Sequence, residues 1–344
     1  MSEGIGDTIV IGAGPAGLAV AACLRREGIP FTILERGSAV GSSWRRHYDR
    51  LHLHTDKAHS ALPYLPFPRD RPRYPSRDQV VDYLESYGRH FELEPRFGEE
   101  VTRVEREGGV WVIRTTRSVY RSRRLVVATG YNRRPRRPSW PGLDEFPGPV
   151  LHSREYRNGR GLRGLDVLVV GFGNSGAEIT LDLWEHGARP AVAVRGPVNV
   201  IPRDLLGLPI LSVAIPLSRL PPWLADALSR PAVRVALGDL RRVGLRRPGR
   251  GPFADIAGRD RIPVIDVGTI DLIRRGGARV RPGLEEFIVG AGAALDGRGI
   301  PLSSGGPPPV PGLYFCGFYV SPTGMLRDIA REARRIARHI AAAR

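Results

Sequence analysis

The chain has 344 residues, which is long enough to bury a substantial core and to divide into two domains. Its 52 Lys and Arg outnumber 35 Asp and Glu, for a formal net charge of +17. The basic residues are scattered and accompany no recognition-helix or aromatic RNA-binding pattern, so we expect no nucleic-acid partner.

The N-terminal region has the pattern of a nucleotide-binding strand–helix–strand unit. Its strand, helix and second strand are expected over residues 8–11, 16–27 and 31–34. The first strand is apolar and β-branched, as is typical of a strand buried on both faces.

The first glycine-rich turn, GAGPAG at residues 12–17, joins this strand to the helix. Gly12 permits a tight turn, Gly14 lets the backbone approach a pyrophosphate, and Gly17 lets the helix pack close to the strand. Glu35 follows at the distance from which an acid accepts hydrogen bonds from ribose hydroxyls. The unit therefore predicts a dinucleotide site, with the helix dipole directed at the phosphates.

The middle of the first half is expected to contain a loop-rich stretch, one helix and three strands. They are placed at residues 63–75, 77–90, 101–105, 111–115 and 125–128.

The second glycine-rich turn, GFGNSG at residues 171–176, repeats the first design between a strand at 167–170 and a helix at 174–185. The next strand ends at Arg195 and not at an acid. A guanidinium can pair with a 2′-phosphate that an acid would repel, so this turn favours NADPH over NADH.

Helices are expected in two further parts of the chain. Residues 202–240 are apolar and punctuated by prolines, which predicts short helices beside the active site; attachment of this stretch to a membrane surface is a less favoured alternative. A final amphipathic helix is expected over residues 323–342.

Residues 146–156, FPGPVLHSREY, resemble the fingerprint F-x-G-x-x-x-H-[S/T]-x-x-[Y/F] of the flavin-containing monooxygenase family. The matching fixed positions are Phe146, Gly148, His152, Ser153 and Tyr156. ATGYNRRP at residues 128–135 and VGSSWR at residues 40–45 are similar to two further family motifs. Residues 47–57 and the C-terminal segment look most like the YUCCA-like branch.

The resemblance implies an FAD- and NADPH-dependent monooxygenase that uses O2 to oxygenate a small organic substrate by way of a flavin C4a-hydroperoxide. The substrate would present a nucleophilic nitrogen or sulfur or a carbonyl carbon, or would be a 2-oxo acid that is decarboxylated oxidatively. Two alternatives stay open, an NADPH-dependent flavoprotein reductase and a non-catalytic flavin-binding remnant. Oxygen chemistry belongs to the cofactor, so neither a nucleophile–base pair nor a metal cluster is required, and no metal is expected.

The expected fold is α/β, with two Rossmann-like, three-layer dinucleotide-binding domains, the second inserted in the first. Residues 1–150 with 300–344 would bind FAD, and residues 151–299 would bind NADPH. A second A-T-G-Y segment of the family pattern is missing after the strand expected at residues 278–281. Either this second domain is shortened or the sequence omits an internal stretch, and a real deletion would leave a sheet edge uncovered.

The motifs and the resemblance together give a set of expected site residues. The cofactor-binding residues are Gly12, Gly14, Pro15, Ala16, Gly17, Glu35, Arg36, Gly41, Trp44, Val101, Thr129, Gly171, Gly173, Asn174, Ser175, Gly176, Arg195, Gly317 and Gly324. Alignment on Lys57 puts His54 where many family members have an asparagine at the reactive edge of the flavin, which makes His54 the catalytic candidate. His52 and His59 are competitors, and His152 is expected to position the nicotinamide nucleotide.

Cysteine usage and hydropathy indicate the compartment. Cys23 and Cys316 form no C-x-x-C pair, which fits a reducing cytoplasm, and no apolar run is long enough to cross a bilayer. The partners expected are therefore O2 and a small molecule, and a homodimer is left open.

Overall fold

The structure, a computed structural model, describes residues 5–131, 135–138, 143, 148–259, 262–282, 313–315 and 325–342. The strands are β1 (Gly6–Ile11), β2 (Phe31–Glu35), β3 (Arg96–Phe97), β4 (Val101–Glu107), β5 (Val110–Thr115), β6 (Val119–Val127), β7 (Asp166–Val170), β8 (Arg189–Val194), β9 (Val200–Pro202), β10 (Asp204–Leu205), β11 (Leu208–Pro209), β12 (Val264–Asp266), β13 (Arg279–Pro282) and β14 (Leu313–Phe315). The helices are α1 (Pro15–Arg26), α2 (Ser42–Arg45), α3 (Arg77–His90), α4 (Asn174–Glu185), α5 (Ile210–Leu217), α6 (Pro222–Leu237), α7 (Pro252–Arg259), α8 (Thr269–Arg274) and α9 (Met325–Ala342).

The first unit is built on a seven-stranded sheet in the order β3-β2-β1-β6-β5-β4, with β14 also paired to β6. The pairs β2–β1, β1–β6 and β6–β14 are parallel, whereas β4, β5 and β6 form an antiparallel meander. The parallel strands are buried on both faces, which explains why β1 and β2 are continuous apolar runs in the sequence.

Helices α1, α3 and α9 pack on one face of this sheet. The side chains of α1 from Ala16 to Leu24 are all buried, and α9 lies against α1 through residues such as Ile329, Ala333 and Ile336. Helix α3 begins with a capping box, in which Ser76 and Gln79 satisfy each other's backbone N–H groups. This packing fixes the N-terminus of α1 at the carboxyl edge of β1.

The second unit is built on a three-stranded parallel sheet in the order β13-β8-β7, with β9 and β12 forming a separate parallel pair. Its core lies between this sheet, α4, α6 and α8. Within the described residues, β7 pairs with β8 alone, and Leu168 and Val170 on its outer face are each 48% exposed.

The secondary structure expected from the sequence is largely confirmed. Helix α4 has the expected bounds, α1 begins one residue earlier than expected, and the proline-punctuated stretch contains the helices α5 and α6. Helix α9 is described from Met325; the two preceding residues of the expected helix lie outside the described residues. The fold is therefore α/β, with two units that each begin with a strand, a glycine-rich turn and a helix.

Candidate active site

A cleft of about 1840 Å³ lies between the two units and is lined by residues of both. Single small-molecule sites typically occupy about 300–1,000 Å³, so this cleft has room for more than one ligand. Twelve of the expected site residues line it: Gly12, Gly14, Pro15, Ala16, Glu35, Arg36, Trp44, His54, Val101, Thr129, Asn174 and Ser175.

The other expected residues lie outside that lining. Gly17, Gly41, Gly171, Gly173, Gly176 and Arg195 belong to the turns and strand ends around the cleft. Gly317 and Gly324, together with Phe146 of the fingerprint and Cys316, lie outside the described residues.

The first glycine-rich turn has the geometry of a pyrophosphate site. Gly12 has a φ of +109°, and a Cβ there would lie 2.6 Å from the Ala128 carbonyl oxygen. A Cβ on Gly17 would lie 1.8 Å from the Gly12 carbonyl oxygen, whereas a Cβ on Gly14 would meet no atom within 4 Å. Gly12 and Gly17 are therefore required by the fold, and Gly14 leaves open the space beside the N-terminus of α1, as a bound phosphate needs.

Glu35 braces this turn in addition to lining the cleft. Its Oε2 accepts a hydrogen bond of 2.8 Å from the Ala13 N–H, and its Oε1 accepts one of 2.8 Å from the Gly37 N–H. The Gly41 N–H reaches the same turn and donates to the Ala13 carbonyl at 3.0 Å. Each carboxylate oxygen keeps a second lone pair, so Glu35 can hold the turn and still accept a ribose hydroxyl.

The second glycine-rich turn repeats this geometry. Gly171 has a φ of +103°, a Cβ on Gly176 would lie 2.1 Å from the Gly171 carbonyl oxygen, and a Cβ on Gly173 would meet no atom within 4 Å. The Asn174 side chain is engaged elsewhere, because its Oδ1 accepts a 2.7 Å hydrogen bond from the Ile265 N–H of β12. The turn itself therefore fits a second pyrophosphate.

Arg195 follows the last residue of β8, at the position expected for a 2′-phosphate contact. No ion pair joins its guanidinium to any described residue. In contrast, Arg189 at the start of the same strand forms two hydrogen bonds of 2.9 and 2.8 Å with Asp166. Arg195 is thus available for an anionic ligand.

The candidate histidines lie on one loop but differ in their position relative to the cleft. His52 and His54 line the cleft, whereas His59 does not and instead contacts Asp56 Oδ1 at 2.7 Å. Lys57, the anchor of the alignment, donates to the Pro68, Arg69 and Arg71 carbonyls and is therefore a structural residue. The sequence did not single out His47, which also lines the cleft; burial, Arg77 and Arg157 lower its pKa.

Helix α4 presents a line of polar residues to the first unit, which we call the polar stripe: Ser175, Glu178, Asp182 and Glu185. Their spacing of three, four and three places them on one face of a helix. Glu178 and Asp182 are 1% and 2% exposed, so each needs partners in the protein. The sequence contains this signal, a pair of acids inside a buried helix, but it does not show what the acids face.

The partners of the polar stripe come from the loop that carries the histidines. His54 Nε2 lies 3.0 Å from Glu178 Oε1, and Arg50 makes a two-pronged contact of 2.8 and 2.9 Å with Glu185. Tyr48 is buried against Glu178, and burial followed by the charge of that carboxylate raises the pKa of the Tyr48 hydroxyl. These contacts connect the loop of the first unit to the helix that follows the second turn.

The fingerprint segment joins the same interface. The Tyr156 hydroxyl and the Gly159 N–H both donate to Asp182 Oδ2, the latter at 2.9 Å. His152 shapes a turn, since its Nδ1 accepts a 3.1 Å hydrogen bond from the Arg154 N–H. His152, Ser153 and Arg154 line the cleft, which places the segment where it can contact a nucleotide.

We call the apolar part of the cleft lining the apolar wall; it comes mainly from the proline-punctuated stretch of the second unit. Its aliphatic side chains are those of Ile201, Leu205, Ile210, Leu211, Val213, Leu217, Leu228, Val233 and Ile256. Such side chains suit an apolar group of a ligand.

Other chemistries find little support in the described part of the chain. No group of three or more His, Cys, Asp or Glu residues there can hold a metal ion. Cys23 is buried in α1, and burial raises the pKa of its thiol to about 11. No described helix combines the length and apolar character needed to cross a bilayer.

Known proteins match the chain over most of its length. Residues 9–203 match the family model described as pyridine nucleotide-disulphide oxidoreductase. The chain is 44% identical to indole-3-pyruvate monooxygenase YUCCA1 of Oryza sativa subsp. japonica, over 84% of this chain and 73% of the relative. It is 41% identical to the probable indole-3-pyruvate monooxygenase YUCCA7 of Arabidopsis thaliana, over 86% and 72%. Its fold matches the flavin-containing monooxygenase of Stenotrophomonas maltophilia with a TM-score of 0.69 and 23% identity, over 98% of both chains.

Proposed function

Because this chain belongs to the flavin monooxygenase family and is an FAD- and NADPH-dependent monooxygenase, we propose that its substrate is a small 2-oxo acid with an apolar side group. The observation that carries the proposal is the 44% identity, over 84% of this chain, with a relative named for its action on indole-3-pyruvate, a 2-oxo acid. The apolar wall of the cleft supports it, since an aryl or alkyl group needs such a surface.

The proposed reaction consumes one 2-oxo acid, one O2, one NADPH and one proton. It yields the carboxylic acid shortened by one carbon, CO2, NADP+ and water. One oxygen atom of O2 enters the new carboxylate and the other leaves as water, while the bond between the keto carbon and the original carboxylate breaks. Bound FAD supplies the oxygen activation, with NADPH as the source of the hydride.

The chain's own residues bind, orient and exclude water. We assign the first glycine-rich turn and Glu35 to FAD, and the second turn to NADPH, with Arg195 at the 2′-phosphate. We assign residues 1–150 with 300–344 to the FAD-binding domain and residues 151–299 to the NADPH-binding domain. The matching geometry of the two turns supports this division.

We assign the proton transfer in the cleft to His54. Its ring lines the cleft, and its Nδ1 makes no hydrogen bond to a described residue, so that nitrogen is free to hold or release a proton next to the substrate. The apolar wall keeps bulk water from taking over this transfer.

The test is turnover of an aryl 2-oxo acid under 18O2 with purified FAD-loaded enzyme. We expect equal amounts of NADPH consumed and CO2 released, and one 18O atom in the product carboxylate. An alkyl thioether and a tertiary amine are the comparison substrates. Preferential formation of a sulfoxide or N-oxide would overturn the 2-oxo acid assignment.

The same experiment separates the two alternatives expected from the sequence. Rapid NADPH oxidation with a quinone or disulfide, and no 18O in any product, would indicate a reductase. FAD that stays bound and is not reduced by NADPH would indicate a non-catalytic remnant, in which the shortened second unit no longer delivers the nicotinamide. The cytoplasmic location and the homodimer stay predictions.

A further inference from the structure

We propose that Glu178 is a positioning residue for His54: its buried carboxylate holds the imidazole by Nε2 and thereby makes Nδ1 the nitrogen that faces the cleft. The inference rests on the proposed role of His54. It adds a residue from the other nucleotide-binding unit, four positions beyond Asn174 on α4.

The geometry distinguishes the two partners. His54 lines the cleft and its side chain is 15% exposed, whereas Glu178 does not line the cleft and its side chain is 2% exposed. The carboxylate therefore lies behind the ring as seen from the cleft. At 3.0 Å, Nε2 and Oε1 are within hydrogen-bond distance, and no described residue occupies Nδ1.

The chemistry of the pair fixes the direction of this hydrogen bond. An ionised carboxylate only accepts, so Nε2 must carry the proton that is shared with Glu178. Neutral His54 then has a free lone pair on Nδ1, and the carboxylate stabilises the positive charge that forms when Nδ1 takes a proton. The same arrangement, a buried acid that orients a histidine, sets the tautomer in serine proteases.

The buried carboxylate of Glu178 is only partly satisfied, because its Oε2 makes no hydrogen bond to a described residue. Besides His54, the Tyr48 hydroxyl and the Arg50 guanidinium face Glu178, with Arg50 Nη1 4.0 Å from Glu178 Oε1. Arg50 makes its closest contacts with Glu185, whereas His54 lies within hydrogen-bond distance of Glu178.

A second acid–histidine pair on the same loop provides an internal comparison. His59 and Asp56 are 2.7 Å apart, but this ring is not part of the cleft lining. The chemistry of the contact alone therefore does not select a functional histidine. What distinguishes the two histidines is their position: His54 lines the cleft, whereas His59 does not.

The experiment uses the FAD-loaded full chain labelled with 15N-histidine. Nitrogen chemical shifts at alkaline pH report which ring nitrogen of His54 carries the proton, and the His54→Asn spectrum assigns the signal. We expect Nε2–H in the wild type without any substrate, so this result does not depend on the 2-oxo acid assignment. A wild-type His54 protonated at Nδ1 alone would overturn the proposal.

Variants of Glu178 then test the cause. Glu178→Met keeps the volume but removes the acceptor, and should shift His54 toward a mixture of tautomers. Glu178→Gln keeps an acceptor oxygen and should restore most of the Nε2–H form. Glu185→Met is the matched control, because it removes an acid from the same helix face that binds the same loop but not His54; it should leave the tautomer unchanged.

Turnover supplies the functional readout. In Glu178→Met, anaerobic reduction of the flavin by NADPH should stay within about twofold, while the NADPH lost to H2O2 should rise and product formation should fall by about tenfold or more. In a His54→Asn background, the same Met substitution should add less than about twofold, because its target is gone. Equal effects of Glu178→Met in the two backgrounds would show that Glu178 does not act through His54.

Discussion

In the second turn, Gly176 lets α4 pack closely, whereas Gly173 leaves space for a nucleotide. The variants Gly176→Ala and Gly173→Ala test these two roles separately. At Gly176 the new Cβ would lie 2.1 Å from the Gly171 carbonyl oxygen, and Cβ atoms do not approach other atoms closer than 3.0 Å. Either α4 or the turn must therefore move by at least 0.9 Å. The turn is held by the 2.9 Å hydrogen bond from the Gly171 N–H to the Ala193 carbonyl, so the movement disturbs the sheet as well.

The expected cost follows from this overlap. Forcing extra atoms into a packed site costs about 1–3 kcal/mol and sometimes more, and we expect about 3 kcal/mol for Gly176→Ala. At roughly 2–4 °C per kcal/mol, the Tm of the FAD-loaded enzyme should fall by roughly 6–12 °C. Gly173 has extended backbone with φ −99° and ψ −176°, and its Cβ meets nothing within 4 Å, so Gly173→Ala should change Tm little.

Gly173→Ala, which should change Tm little, should weaken the binding of NADP+. The methyl group of Gly173→Ala enters the space assigned to the pyrophosphate, so the Kd for NADP+ should rise by about tenfold or more, an expected loss of about 1.4 kcal/mol. Thermal unfolding followed by flavin fluorescence and titration with NADP+ measure the two effects. The reasoning is refuted if Gly173→Ala binds NADP+ like the wild type, or if it lowers Tm as much as Gly176→Ala.

Three further predictions concern charged groups. Arg195→Ala should reduce the preference for NADPH over NADH by about 10–100-fold, as measured by kcat/KM for each nucleotide, while Arg189→Ala on the same strand should not; an unchanged preference contradicts the assignment. Glu35→Gln leaves one backbone N–H without its acceptor, so urea unfolding should show a loss of about 1–3 kcal/mol and gel filtration a loss of bound FAD; full retention of both would be inconsistent with its bracing role. Burial raises the pKa of Asp266, so its contribution to stability is lost as pH rises through the folded-state pKa. Asp266→Asn should therefore gain stability relative to the wild type as the pH rises above about 4 in urea unfolding, and a constant difference would contradict this sign.

The two nucleotide turns were predictable because their signals are local. A strand, three glycines and a helix follow one another within a few residues. The steric reason for Gly12, Gly17 and Gly176 is contact with backbone close by in the chain or across one strand pair, and Gly171 is favoured by its φ of +103°. For the same reason, the bounds of α4 agree with the expectation residue for residue.

The choice among the loop histidines was not predictable in this way. His52, His54 and His59 have similar sequence surroundings, and the alignment on Lys57 gave only a preference. In the structure His59 is not part of the cleft lining, and Glu178 of α4 lies at Nε2 of His54. These contacts join residues more than a hundred positions apart, so no short pattern contains them.

The sequence by itself determined that this chain has two dinucleotide-binding units, and its motifs indicated their order and the family, because glycine sterics and strand–helix periodicity act over short distances. Only the tertiary structure decided which polar groups meet across the boundary between the units. A buried acid such as Glu178 or Asp182 must find donors wherever packing brings them, and here packing brings His54 to one and Tyr156 to the other. The physical reason is that a buried acid needs hydrogen-bond donors, but its position in the sequence does not say which donors these are. The packing of α4 against the loop that carries the histidines supplies His54.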